Sequence, residues 1–266
     1  MEQEEMKVIY YENELEDEFS AAQITPRRID GKYEYVGGFG RKVSRLFWYR
    51  MVAQPIGYLF LKIKFRHKII NRQCIKAAVG AGFFLYGNHT NEIPDALIPT
   101  MICHPVGVYV IVHPNNVSMP VLGRITPSLG ALPLPDDKDA MKHFGEAIRH
   151  HIERNKCITI YPEAHIWPYY TKIRNFRDNS FRYPVQHQVP VFCFTNTYQK
   201  RKRGKTPQMV TYVDGPFYPD SSLPAKEQRS KLHEQVLTTM KQRSKNSNVE
   251  LIRYVKKDSL PGENGD

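Results

Sequence analysis

The sequence has few cysteines and lacks the motifs that mark the commonest metal and hydrolase sites. Its four cysteines are far apart and form no CxxC pair: Cys74, Cys103, Cys157 and Cys193. This spacing suggests neither a zinc site nor a disulfide framework, and it predicts reduced core thiols in a cytosolic protein. No histidine pair, including His150 and His151, has HExxH spacing, and there is no G-x-S-x-G motif.

Long apolar runs are also missing. No stretch reaches the roughly 18 to 20 residues of a bilayer-spanning helix, and the acidic N-terminus does not resemble a signal peptide. Residues 45–65 instead mix aromatic and aliphatic side chains with Lys and Arg, a composition typical of a membrane-interface anchor. The alternative is an amphipathic helix that packs on the protein's own core, with a break at Pro55 and Gly57.

Charge is unevenly distributed along the chain. The 266 residues are 41% hydrophobic, enough for a sizeable core, and carry 38 Lys and Arg against 27 Asp and Glu, a net charge of +11. The first twenty residues hold eight acids and one base, so the rest has 37 bases and 19 acids, a net charge of +18. This surplus points to a polyanionic partner, which could be nucleic acid, an anionic membrane or a phosphorylated substrate.

Strand-like and helical segments alternate from about residue 80. Strands are predicted over 83–87, 106–112, 157–161, 189–195 and 208–213, and helices over 96–102, 139–154 and 225–245. This alternation predicts an α/β fold with a mixed central sheet flanked by helices. We expect an acidic segment at 1–40, an amphipathic membrane-interface segment with helical character at 41–75, the α/β domain at 76–258 and a flexible tail at 259–266.

Two polar segments follow predicted strands. In YGNHTNEIPD a strand ends at Gly87, and a helix is predicted to begin near Pro94. Asp95 would either stabilise the helix N-terminus or orient the imidazole of His89 as a general base. In CITIYPEAH, Glu163 follows a strand, where α/β folds usually place their sites, although a solvated loop acid or a helix-start acid would also fit.

Four sequence blocks in a fixed order resemble the 1-acylglycerol-3-phosphate O-acyltransferases and their glycerolipid acyltransferase relatives. The blocks span roughly residues 83–217. They are Asn88, His89 and Asp95; Pro120, Gly123 and Gly130; Tyr161, Pro162, Glu163 and Ala164; and Val189, Pro190 and Val191 with a later Gly215 and Pro216.

The first and third blocks depart from the family pattern. Five residues separate His89 from Asp95 where the family has four, so either the loop absorbs one residue or Glu92 is the partner of His89. The family's Gly-Thr is replaced by Ala164 and His165, which predicts a different backbone turn.

The second block lacks the family's arginine. Asp136 stands at that position and cannot bind phosphate. The nearest basic residues in the motif blocks are therefore the candidate acceptor-binding groups: Arg124, Arg174 and Arg177, with Lys172 beside them.

The resemblance implies direct transfer of an acyl group from a thioester to a lysophospholipid hydroxyl, most simply 1-acylglycerol-3-phosphate to phosphatidic acid. His89 would be the base, Asp95 would orient it, and Glu163 would help to position the acceptor. No metal or cofactor is expected, and acyl-CoA or acyl carrier protein would be the donor. The expected partners are an anionic membrane surface, the lysophospholipid and the donor, at the cytoplasmic face of the membrane as a peripheral protein.

Two other functions remain open. The basic run KRKRGK at 200–205 would suit a nucleic-acid-binding protein, but no nucleic-acid-binding motif accompanies it, and a hairpin loop between two strands is the simpler explanation. We therefore expect no nucleic-acid partner. A lipid-binding protein that keeps the fold without activity is the second alternative.

Overall fold

Strands and helices alternate along most of the chain. The computed structural model describes residues 6–19, 25–204 and 206–257, and the predicted tail at 259–266 lies outside them. In chain order the elements are β1 (Lys7–Tyr11), α1 (Phe39–Arg45), a π-helical segment (Leu46–Ala53), α2 (Gln54–Phe65), β2 (Lys68–Ile70), a 3-10 helix (Arg72–Ala78), β3 (Phe83–Gly87), α3 (Glu92–Cys103), β4 (Val108–Val112), α4 (Asn115–Ser118), α5 (Leu122–Leu129), β5 (Ala131–Pro133), α6 (Lys138–Glu153), β6 (Cys157–Ile160), a second 3-10 helix (Asp178–Phe181), α7 (Arg182–His187), β7 (Val191–Gln199), β8 (Gln208–Phe217), α8 (Ala225–Ser244) and β9 (Ile252–Lys256).

The central sheet has the strand order β2-β8-β7-β3-β6-β4-β5. Strands β7, β3, β6, β4 and β5 are mutually parallel, whereas β8 is antiparallel to β7 and β2 is parallel to β8. The predicted mixed sheet is thus confirmed. The basic run that begins at Lys200 connects β7 and β8, which form an antiparallel hairpin.

The core lies on both faces of this sheet. All five residues of β3 are buried, as expected for a central strand covered by helices on both sides. Successive side chains alternate between the faces. Phe84 packs with residues of α6 and α8 such as Ile148 and Leu232, and Phe83 packs with residues of α2 and α3 such as Leu61 and Ile98.

A separate two-stranded sheet joins the two ends of the described chain. Strand β1 pairs in parallel with β9, with Lys7 opposite Ile252 and Tyr11 opposite Lys256. Part of the acidic N-terminal segment at 1–40, the acidic head, is therefore a strand. This pairing was not predicted from the sequence, because its two strands lie at opposite ends of the chain.

Helical structure continues from Phe39 to Phe65 through the π-helical turns. The break considered at Pro55 and Gly57 is wrong, because both residues lie inside α2. Pro55 is in the first turn of α2, where the missing N–H costs little. A Cβ at Gly57 would come within 2.7 Å of the Leu97 side chain, so this glycine permits close packing of α2 on α3.

The predicted boundary between residues 75 and 76 does not separate the amphipathic segment from the central sheet. Strand β2, within 41–75, pairs with β8 and forms one edge of the central sheet. The amphipathic segment therefore leads directly into the sheet.

Candidate active site

The loop that follows β3 is anchored to β7 by two buried asparagines. The Asn88 side chain donates to the Asn196 carbonyl oxygen at 3.1 Å and accepts from the Asn196 backbone N–H at 2.8 Å. A side chain that meets both backbone groups of a neighbouring strand fixes where the loop leaves the sheet. His89 is the next residue, so these hydrogen bonds also fix its position.

The imidazole of His89 lies against the carboxylate of Asp95. Nδ1 of His89 is 2.9 Å from Oδ2 of Asp95, and the two side chains are 18% and 1% exposed. An ionised carboxylate only accepts hydrogen bonds, which assigns the proton to Nδ1 and leaves the lone pair of Nε2 free. His89 therefore has the arrangement of a general base with an orienting acid.

The longer spacing between His89 and Asp95 is absorbed in the loop. Asn91 has an extended backbone, α3 begins at Glu92, and Asp95 lies in the first turn of the helix. Glu92 is exposed, and the structure describes no contact between its side chain and the His89 ring. The geometry thus places Asp95, not Glu92, beside the imidazole.

The Asp95 carboxylate is surrounded by donors. Oδ2 accepts from the backbone N–H groups of Thr90 and Asn91 at 2.7 and 2.8 Å, and Oδ1 accepts from the Asn196 amide at 3.1 Å. The N-terminus of α3 adds a favourable dipole. These contacts fix the carboxylate, so the imidazole is held in one orientation.

A buried hydrogen-bonded relay continues from Asp95 across the sheet. Thr211 Oγ1 donates to Asn196 Oδ1 at 2.6 Å, and His67 Nε2 is 2.8 Å from the same hydroxyl. Because the hydroxyl has one proton and gives it to Asn196, His67 must donate from Nε2. Burial lowers the pKa of His67 to about 4, which agrees with a neutral ring.

Sequence reasoning missed Asn196, Thr211 and His67. A signal was present in the consecutive polar residues Thr195, Asn196 and Thr197 within an otherwise apolar strand. Polar groups in a fully buried strand require partners, which could have suggested a network.

Glu163 forms a buried ion pair behind His89. It accepts from the His89 backbone N–H at 3.1 Å, and its carboxylate is 3.2 Å from the Arg174 guanidinium. Both side chains are almost fully buried, and Arg174 also lies 4.8 Å over the Trp167 ring. Burial raises the pKa of Glu163, and Arg174 opposes this shift. Glu163 is therefore not a solvated loop acid.

Tyr161 holds the other side of the imidazole. Its ring stacks on His89 with centroids 4.4 Å apart and an interplanar angle of 20°. Its hydroxyl donates to the backbone oxygen of Asp95. Tyr161 thus contacts both members of the pair.

The loop after β6 contacts the acidic head. Ala164 has a φ of 64°, in the left-handed region that favours glycine. His165 Nδ1 is 3.1 Å from a Glu18 carboxylate oxygen, and Trp167 Nε1 donates to the Asp17 carbonyl at 2.8 Å. The head therefore packs directly on the loop that carries Glu163.

The predicted acceptor-binding cations fall into two groups. Arg174 lies beside Glu163 with its guanidinium buried. Arg124 on α5, Lys172 and Arg177 are exposed, and the structure describes no contact between any of them and His89. Among the described residues, no cluster of three or more His, Cys, Asp or Glu is placed to hold a metal ion.

Comparisons with known proteins agree with this architecture. The family model described as Acyltransferase matches residues 66–195. A search of curated proteins found no match. The crystal structure of the 1-acyl-sn-glycerophosphate (LPA) acyltransferase PlsC from Thermotoga maritima matches with a TM-score of 0.54 and 16% identity, over 79% of this chain and 85% of that one.

The described chain is similar in fold to that acyltransferase, and the region matched by the family model contains His89, Asp95 and Glu163. The match to the acyltransferase family model covers just under half of the chain. Within the described parts of the chain, no helix combines the length and the apolar character needed to cross a membrane.

Proposed function

We propose that this protein transfers a fatty acyl group from a thioester donor to the free hydroxyl of a lysophospholipid, with 1-acylglycerol-3-phosphate as acceptor and phosphatidic acid as product. The observation that carries the proposal is the pairing of His89 with the buried Asp95 at 2.9 Å. An imidazole fixed by a carboxylate is suited to accept a proton from an alcohol.

The reaction proceeds by direct attack. His89 Nε2 takes the hydroxyl proton while the oxygen attacks the thioester carbonyl, and Asp95 stabilises the imidazolium. The C–S bond then breaks, and the thiolate takes the proton from His89. Direct attack needs no covalent acyl-enzyme, in keeping with the lack of a G-x-S-x-G motif in the sequence.

Glu163 and Arg174 are assigned to positioning. Glu163 accepts a hydrogen bond from the His89 backbone N–H. The Arg174 guanidinium already donates to the Glu163 carboxylate and to the backbone oxygens of Glu14 and His165. Leaving Glu163 as a buried, unpaired charge would be costly, so Arg174 is poorly suited to leave it for a substrate phosphate. The exposed Arg124, Lys172 and Arg177 are the proposed phosphate-binding cations.

We also propose that the helical segment Phe39–Phe65 rests on an anionic membrane. It buries Tyr49, Leu61 and Phe65 against the protein. Ten large apolar side chains of the same segment are exposed: Phe39, Val43, Leu46, Phe47, Trp48, Met51, Ile56, Tyr58, Leu59 and Ile63. Lys and Arg residues flank them, as in interfacial helices.

Acyl transfer to a panel of lysolipids tests the reaction. Acyl-CoA and acyl carrier protein would be compared as donors, for the wild type, His89→Ala and the control His143→Ala, an exposed histidine on α6. Loss of the base is expected to lower kcat by roughly 10²- to 10⁴-fold, with the control unchanged. Equal rates for wild type and His89→Ala would contradict the mechanism. Lipid binding without transfer to any acceptor would favour the non-catalytic alternative.

Sedimentation with anionic liposomes tests the membrane contact. Trp48→Glu should reduce the bound fraction, because it places a charge among the exposed apolar residues. Tyr218→Glu, at an exposed aromatic position outside the helical segment, serves as the control. Sedimentation that is the same for both variants and the wild type would refute the contact.

A further inference from the structure

A cavity lies away from the His89 pair. It has a volume of about 580 Å³ and opens between α2, β2 and the C-terminal end of α3. Asp95 is in the first turn of α3, whereas the cavity is lined by residues of the last turn and beyond, among them Met101 and His104. The cavity is therefore at the opposite end of that helix from the proposed catalytic pair.

Three permanent positive charges line this cavity. They belong to Arg50, Lys62 and Arg72, and no Asp or Glu is among the described residues of the lining. Their described hydrogen bonds go to backbone carbonyls. Arg50 donates to Pro105, Arg72 to Ile102 and His104, and Lys62 to His67. Cations gathered in a concave site without a carboxylate favour an anion.

An unsatisfied hydrogen-bond donor also favours an anionic ligand in this cavity. The Gln54 side-chain nitrogen is buried and has no hydrogen-bond partner in the described structure, and Gln54 also lines the cavity. A buried donor without a partner is costly, and an acceptor oxygen in the cavity would satisfy it.

The same cavity borders the exposed apolar face of α2. Tyr58 lines the cavity and is 55% exposed, and the Lys62 ammonium lies 5.6 Å from its ring centroid. Ile56, Leu59 and Ile63 extend this apolar surface along the helix. A ligand that combines an anionic head with an apolar tail would match both surfaces.

We propose that this cavity binds the phosphate of an anionic phospholipid, at a site distinct from the acyl-transfer centre. Arginine and lysine would contact the phosphate oxygens, and the acyl chains would lie along α2. The inference does not depend on the acyl-transfer reaction, because it rests on Arg50, Lys62, Arg72 and Gln54, although His67 of the hydrogen-bonded network also lines the cavity.

Calorimetric titration of the full chain with dihexanoyl phosphatidylglycerol, kept below its micelle concentration, tests the site. This diester is not the product of the proposed reaction. The double variant Lys62→Gln/Arg72→Gln should bind about tenfold or more weakly, since two charge-assisted contacts are lost. The matched control is Lys64→Gln/Lys68→Gln, which removes the same charge from exposed neighbours that do not line the cavity.

The controls separate the possible outcomes. The single variant Lys62→Gln, at an exposed position, guards against a folding defect in the double variant, and His89→Ala should bind like the wild type. An equal loss of affinity in the cavity and control variants would show general charge attraction and overturn the proposal. Inorganic phosphate that binds as tightly as the lipid would assign the site to free phosphate instead. Dihexanoyl phosphatidylcholine of equal affinity would remove the preference for an anionic lipid.

Discussion

The proposed catalytic pair of His89 and Asp95 is held by a residue of strand β7. Asn196 of β7 donates its side-chain amide to Asp95 and accepts from Thr211, while its backbone holds Asn88. It is thus bonded on every side and has no freedom to rotate. We infer that Asn196 is a positioning residue that fixes the Asp95 carboxylate, and through it the His89 ring.

Substitution of Asn196 should affect the rate in a charge-dependent way. Asn196→Ala removes one hydrogen bond to Asp95 and should lower kcat about tenfold. Asn196→Asp places a second carboxylate beside Asp95 and should cost more at pH 7. Because protonation of either carboxyl relieves the repulsion, the activity of Asn196→Asp relative to Asn196→Ala should rise as the pH falls. The measurement is kcat as a function of pH.

Thr197→Val provides the control for this prediction. Thr197 is buried in the same strand, and its hydroxyl donates to the Val210 carbonyl instead of joining the relay. The variant should lose stability without a change in the pH profile of kcat. Identical profiles for Asn196→Asp and Asn196→Ala would indicate a purely structural role for Asn196.

Among the secondary-structure elements, the interior strands of the sheet could be predicted from the sequence better than its edge strands. The central strands β3, β6 and β7 are apolar runs whose burial dictates their composition. Strands β2 and β5 have three residues each, too few for a periodic pattern. The pairing of β1 with β9 joins opposite ends of the described chain, so no local signal reveals it.

In the candidate site, residues within a local motif could be predicted, whereas residues brought in by the order of the strands could not. His89, Asp95 and Glu163 could be predicted because each follows a strand within a short motif. Asn196 reaches Asp95, and Thr211 reaches Asn196, only because β8, β7 and β3 are neighbours in the sheet, and strand order is not visible in one sequence. Arg174 was singled out for its charge, but its burial against Glu163 follows from the tertiary fold.

The turn after β6 supplies a prediction about stability. Ala164 has positive φ, which is unfavourable for a residue with a Cβ. Ala164→Gly should therefore raise the free energy of unfolding by about 0.5–1 kcal/mol, after the entropic cost of glycine is subtracted. Chemical denaturation measures this change. Ala96→Gly, at an exposed helical position in α3, should instead lower the free energy by about 1 kcal/mol. Destabilisation by both substitutions would contradict strain at Ala164.

For the whole molecule, the acidic head has a structural role that composition did not reveal. Residues of the head and of β9 enclose Trp167, which is fully buried. Tyr254 stacks on its ring with centroids 4.9 Å apart, and Tyr11 and Phe19 contact it at 4.7 and 5.3 Å. The two ends of the described chain thus cover the loop that carries Glu163, which couples their packing to the candidate site.

Buried neutral histidines connect global stability to pH. His151 is 5% exposed, its ring stacks on Tyr109 with centroids 3.5 Å apart, and its Nε2 has no hydrogen-bond partner in the described structure. Burial, aided by nearby cations such as Arg45, lowers its pKa from 6.5 to about 3. Between these values the unfolded chain binds a proton and the folded chain does not, so the stability contributed by neutral His151 is present above pH 6.5 and lost as the pH falls.

His151→Phe should preserve the stacking and remove this proton linkage. At pH 7 the variant should be more stable by about 1 kcal/mol, because a buried unsatisfied nitrogen is removed. Below pH 6.5 its advantage should grow by about 1.4 kcal/mol per pH unit, since only the wild type gains a proton on unfolding. Urea denaturation between pH 7 and pH 5 measures both effects. Ile148→Val, a non-titrating core change in the same helix, should shift stability equally at every pH, and a similarly constant difference for His151→Phe would mean that the buried ring does not titrate as inferred.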